Sequence, residues 1–127
     1  MRICGAYVQK FEVIFYENAD GIKPAKEFLD KLSVKMRAKM IRTIVMLQDN
    51  GPALREPCSK HLKDGIFELR AKVATNITRV LYFFFIGRKV VLTNGFIKKT
   101  QETPAAEIDL AKCYRAEYLR RKENKRD

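Results

Sequence analysis

The chain has 127 residues, 46% of them hydrophobic, with 26 Lys and Arg against 15 Asp and Glu, a formal net charge of +11. That length fits one domain, 1–127, with a single core, and so large a positive surplus favours a polyanionic or acidic partner, because the summed field draws anions in and holds counterions that binding releases. Cys4, Cys58 and Cys113 are odd in number and widely spaced, which fits neither a disulfide framework nor a four-ligand zinc site. The opening "MRICGAYVQKFEV" lacks the apolar core of a signal peptide, and the run "VLYFFFI" is too short to span a bilayer, so a reducing cytoplasm and no membrane are expected.

Residues 7–17, "YVQKFEVIFYE", alternate and are rich in β-branched and aromatic side chains, which predicts a strand ended by the turn "NADG". Pro24 suits the first turn of a helix reaching about Leu32, and Ser33 is placed to cap a second one. There Met36, Met40, Ile44 and Leu47 recur at helical spacing as core, with Lys35, Arg37, Lys39 and Arg42 on the solvent face, until "DNGP" stops the helix. Residues 53–65 read as a loop. Three strands follow at 66–73, 76–86 and 89–98, with Gly87 and Arg88 in the second hairpin turn, an antiparallel meander. Thr103 as cap and Pro104 as first helical residue open a last helix with Ile108, Ala111, Tyr114 and Tyr118 on one face. "RRKENKRD", 120–127, reads as a charged, frayed tail. The fold class is α+β, in the order β-α-α-β-β-β-α.

Successive strand residues face opposite sides of a sheet. In 66–73 this sets Phe67, Leu69, Ala71 and Val73 on one face and Glu68, Arg70 and Lys72 on the other. If Val80, Tyr82 and Phe84 take the core face, Arg79 shares the side of Arg70 on the neighbouring strand. Lys98 or Lys99 then arrives at the end of the sheet, and the four form a cationic cleft only partly covered by the last helix. Basic side chains in such places are commonly just solvated. An arginine inside an apolar strand, however, needs a carboxylate or an anionic ligand, and a structural pairing of Glu68 with Arg79 or Arg70 is the plain alternative.

Conventional catalytic groups are mostly missing. One histidine, His61, excludes a two-histidine acid and base pair; "CSKH" lacks two further zinc ligands; there is no carboxylate cluster and no Gly-rich phosphate loop. No cofactor is expected. RNA cleavage can still be run with cations, because 2′-OH attack on the adjacent phosphate needs a base, positive charge for the phosphorane and help for the leaving 5′ oxygen. A lysine among other cations can be that base once its pKa is lowered, and arginines supply permanent charge.

"HLKDGIFELR", "TRVLYFF" and "GFIKKTQETP", in that order, resemble the RelE/ParE superfamily of bacterial toxins, most closely its HigB-like, phage Gp49-like branch, over about Phe11 to Tyr118. The resemblance implies a RelE-like antiparallel sheet with an N-terminal helical pair. It also implies the toxin of a type II toxin-antitoxin module, an mRNA interferase that enters the ribosomal A site and cuts the message without metal. Arg70 and Arg79 then match the family's phosphate-binding arginines, Lys98 and Lys99 its basic pair, and these four are the catalytic candidates. Lys60, His61, Lys63 and Lys72 are secondary RNA contacts. Some relatives carry a tyrosine or histidine after the basic pair, where this chain has Thr100 to Ala105, so the general acid is unassigned. The expected partners are mRNA, the ribosome and a cognate helix-turn-helix, HigA-like antitoxin, with DNA reached only through that antitoxin. The rivals are a ParE-like toxin that inhibits DNA gyrase without nuclease chemistry and a non-catalytic RNA- or protein-binding module.

Overall fold

A strand that alternates and a helix with one apolar stripe must each bury a face, and here they bury them on a common sheet. In the computed structural model the described residues are 10–98 and 102–124, Lys98 by its backbone alone. Strand β1 (Glu12–Phe15) occupies the later half of the expected first strand; residues 7–9 lie outside the described part. Helix α1 (Pro24–Asp30) has Pro24 at its start, and α2 (Val34–Asn50) is capped by the Ser33 hydroxyl, which accepts from the Met36 amide at 3.2 Å.

The stretch read as loop holds an additional strand, β2 (Ser59–Lys63), after a short 3-10 turn at Gly51–Ala53. Its sequence, "SKHLK", is polar and basic because it forms an edge of the sheet with little to bury, so it lacks the apolar period that betrays a strand. The turn that follows did carry a signal. Asp64 and Gly65 both have positive φ, 52° and 81°, as a two-residue hairpin requires, and Asp-Gly is a favoured pair there. Strands β3 (Ile66–Val73), β4 (Asn76–Phe85) and β5 (Lys89–Lys98) form the expected meander. The sheet order is β1-β5-β4-β3-β2, antiparallel except that β1 lies parallel to β5.

The helical hairpin covers one face. Leu29, Leu32, Met36, Met40, Ile44 and Leu47 pack on Leu69, Ala71, Val80, Tyr82, Val90 and Leu92, all buried. At Gly95 the packing leaves no room for a side chain, since a Cβ would stand 2.4 Å from Cδ2 of Phe28. Helix α3 (Ala105–Asn124) covers the other face, with Ala111 and Tyr118 against Ile66, Leu81, Phe83 and Val91. It differs from expectation at both ends. The Pro104 carbonyl accepts from the amides of Glu107 and Ile108 at 3.1 and 3.4 Å, while the Thr103 hydroxyl turns away to Glu68 and Arg79 rather than capping the helix. At the far end, residues 120–124 are helical rather than frayed, because Arg121 is tied to Glu117 at 3.1 Å, to the Glu17 carbonyl at 2.6 Å and to the face of Tyr16.

Parity held on both faces, with Val80, Tyr82 and Phe84 on the hairpin side and Leu81 and Phe83 on the α3 side. Tyr82 shows the energetic consequence, because its hydroxyl meets that of Ser59 beneath the hairpin and burial pushes its pKa up to about 12 from 10.0. The fold favours the neutral phenol. Its contribution is therefore complete below about pH 10 and is lost as pH rises from about 10 to about 12, a total of about 2–3 kcal/mol. Urea denaturation at about pH 9 and about pH 11.5 should show that loss, and Tyr82→Phe should be less sensitive to pH over this range by that amount.

Candidate active site

Alternation along β3 puts Glu68 and Arg70 on the α3 side of the sheet, and the register sets Arg70 directly opposite Arg79 of β4. Two cations so placed repel at close range. Glu68 resolves the conflict. Its Oε2 accepts from Nε of Arg70 at 2.5 Å, and its Oε1 lies 3.8 Å from Nη1 of Arg79. Thr103, on the approach to α3, closes the group: its hydroxyl donates to Oε1 of Glu68 and accepts from Nη1 of Arg79 at 3.2 Å. The side chains of Glu68 and Arg79 have 0% exposure and that of Arg70 has 16%.

Burial pulls the pKa of Arg79 below its ordinary value; Glu68 opposes the shift and Arg70 adds to it. A guanidinium remains charged at physiological pH even so. Two cations and one carboxylate leave the cluster one positive charge, presented through Arg70. Arg70 lines a cavity of about 740 Å³ that opens between α2 and β3.

The sequence expectation of two arginines on adjacent strands and one face is met. Glu68 and Thr103 lie between the arginines, and Arg79 is fully buried. Lys72 follows Arg70 two residues on, exposed, and lines the same cavity. Lys60 pairs with Glu68 across β2 and β3 and is exposed at the edge; Lys63, past a bulge, pairs with Ile66. His61 pairs with Phe67, whose ring packs toward the helical hairpin, and meets it edge-on at 4.9 Å. Its Nε2 accepts from the Gly65 amide at 3.1 Å, so His61 fastens the hairpin turn on the face away from the arginines. Lys98 ends β5 opposite Ile77, two positions beyond Phe96, which pairs with Arg79. Lys99 lies outside the described residues.

Three contributors escaped the sequence reading. Thr103 looked like a helix cap. Asn94 and Glu107 carried no signal at all, yet Nδ2 of Asn94 donates to the carbonyl and to Oε1 of Glu107 at 3.3 and 2.9 Å, pinning the first turn of α3 to β5 beside the cluster. Only Glu68 was legible, as the residue two before Arg70 on one strand face.

The five-stranded sheet between a helical hairpin and a C-terminal helix, with paired arginines under that helix, is of the RelE-like class. Residues 27–115 match the family described as phage derived protein Gp49-like (DUF891). Two proteins named "Probable endoribonuclease HigB1", from Mycobacterium tuberculosis strains CDC 1551 / Oshkosh and ATCC 25618 / H37Rv, are each 34% identical to this chain over 97 residues, 76% of this chain and 75% of theirs. The chain belongs to the phage-derived Gp49-like family, in the HigB-like branch of the RelE/ParE superfamily. The matched span includes Glu68, Arg70, Arg79 and Thr103.

Removing one partner from a buried ion pair strands the other charge, at a cost of about 3–5 kcal/mol. Glu68→Ala should lower stability in urea by that order, since it leaves two facing guanidiniums. Adding Arg79→Met should recover more than half of the loss. A Glu68→Ala protein as stable as the wild type would show that the carboxylate does not hold the arginines together.

Proposed function

We propose that this chain is the toxin of a type II toxin-antitoxin module, an endoribonuclease that cuts mRNA in the ribosomal A site without a metal and arrests growth until a cognate antitoxin neutralises it. The observation that carries the reading is the pair Arg70 and Arg79, set opposite each other by strand register and held around one carboxylate. The similarity to proteins named probable endoribonuclease HigB1 supports it.

In this reading Arg70, the less buried of the two arginines, meets the scissile phosphate first. Arg79, beneath Thr103, adds positive charge as the phosphorane forms, when electrostatic stabilisation matters most. Glu68 keeps both guanidiniums oriented before substrate arrives. Either Lys98 or Lys99 takes the 2′-OH proton. Lys60, Lys63 and Lys72 steer the RNA backbone along the β2 and β3 side of the sheet, and His61 reaches RNA only where the strand wraps past the edge of β2. A cluster that is mostly buried and partly neutralised at rest fits an enzyme whose substrate is positioned for it, which is the part assigned to the ribosome. The antitoxin would be a helix-turn-helix, HigA-like protein, and DNA contact would pass through it.

One observation favours a rival. Burial of Arg79 against Glu68 and Thr103 is also what a purely structural ion cluster would show, as in a gyrase-inhibiting, ParE-like toxin or a non-catalytic binding module. Mapping message ends during expression separates the cases. Cuts within translated codons are expected, with Arg70→Ala, Arg79→Ala, or Lys98→Ala together with Lys99→Ala reducing cutting by about 10²–10³ while the proteins remain folded. Uncut messages with altered supercoiling would assign the chain to the gyrase inhibitors, and variants that lose activity only by unfolding would make the cluster structural.

A further inference from the structure

Arg79 is assigned to the developing phosphorane, yet its side chain has 0% exposure, as has that of Glu68. A group that solvent does not reach meets a phosphate only after whatever covers it has moved. Thr103 covers it. The Thr103 hydroxyl accepts from Nη1 of Arg79 at 3.2 Å and donates to Oε1 of Glu68, while the residue as a whole is only half-buried. It is the layer between solvent and the buried pair.

The surroundings of Thr103 are held without its help. Nδ2 of Asn94 donates to the carbonyl and to Oε1 of Glu107, and the Pro104 carbonyl accepts from the amides of Glu107 and Ile108, so the first turn of α3 is fastened to β5 on its own account. Glu68 stays bound to Nε of Arg70 through its other oxygen. Thr103 precedes the helix, which begins at Ala105. Its withdrawal therefore asks for movement of one non-helical residue and leaves α3 and the two strands in place. An anionic phosphate oxygen also attracts a guanidinium more strongly than a neutral hydroxyl does.

We propose that Thr103 is a positioning residue whose hydroxyl holds, on Nη1 of Arg79, the place of a substrate phosphate oxygen, and that the arriving phosphate displaces it. The inference rests on the reading of the chain as a ribonuclease, and adds how a fully buried arginine takes part in cutting. Before displacement the hydroxyl keeps Glu68 and Arg79 hydrogen-bonded in a dry place, the condition a buried ion pair needs. On displacement Nη1 of Arg79 donates to the phosphate oxygen instead. Oε1 of Glu68, 3.8 Å from that nitrogen, gives up the Thr103 donor, and this loss is part of what uncovering costs. The fraction of chains uncovered at rest then scales the apparent affinity for RNA.

Thr103→Val keeps the size of the side chain and removes two bonds to charged groups from the covered state, while taking nothing from the uncovered one. Message cutting by the free chain, without ribosomes, should rise at least about 10-fold. Affinity for a short RNA with 2′-deoxyribose at the cutting position, followed by fluorescence anisotropy, should rise by the same factor. Resistance to urea should fall, and Thr103→Ser, which keeps the hydroxyl, should match the wild type in all three measurements. Thr103→Ala makes the same test if valine is not accommodated. Reduced resistance to urea with cutting and affinity unchanged or lowered would make Thr103 a structural contact and overturn the inference, as would a gain in Thr103→Ser equal to that in Thr103→Val. A wild-type chain that cuts no message even on ribosomes overturns the function itself and the inference with it, an outcome distinct from an active wild type whose variants gain nothing.

Discussion

Two arginines face each other across neighbouring strands, and one buried carboxylate lets them do so. Without Glu68 the register of β3 on β4 would set like charges opposite each other inside a largely apolar layer, a costly arrangement. With it, the same register becomes an oriented pair of guanidiniums. The position of α3 is drawn into this arrangement, because Thr103 bonds to Glu68 and Arg79 and Asn94 fastens the following turn through Glu107.

The sheet keeps this polar cluster separate from its main core. The hairpin face is sealed by α1 and α2 over Leu69, Val80, Tyr82 and Leu92, where the Ser59 hydroxyl meets that of Tyr82. The opposite face divides its work. Ile66, Leu81 and Phe83 are covered by Ala111 and Tyr118, whereas the end of the sheet beyond them carries Glu68, Arg70 and Arg79. Stability can therefore be supplied mainly by one face while charge is concentrated at one end of the other, which is how a small domain holds a partly buried cationic site without sacrificing its core.

The point at which β2 ends hands the edge of the sheet over to α2. Past Ser59 the edge of β3 is bordered by the side chains of α2 rather than by another strand, so a polar backbone edge, an aliphatic helix face and Arg70 meet around one cavity.

Periodicity in the chain determined most of the elements, because each of these is a repeating local pattern: Met36 to Leu47 at helical steps, Phe67 to Val73 by alternation, with the turn between β4 and β5 marked by Gly87 and Arg88. Parity alone also placed Arg70 and Arg79 on one face. Strand β2 was illegible because an edge strand buries too little to need an apolar pattern, and His61 was ambiguous because a bulge and a turn, rather than alternation, decide its partners. Whether the arginines would stand open or closed was decided only in three dimensions. Thr103 is 35 residues from Glu68 and Glu107 is 13 from Asn94, and no local pattern encodes a hydrogen bond that exists only once a helix has packed across a sheet.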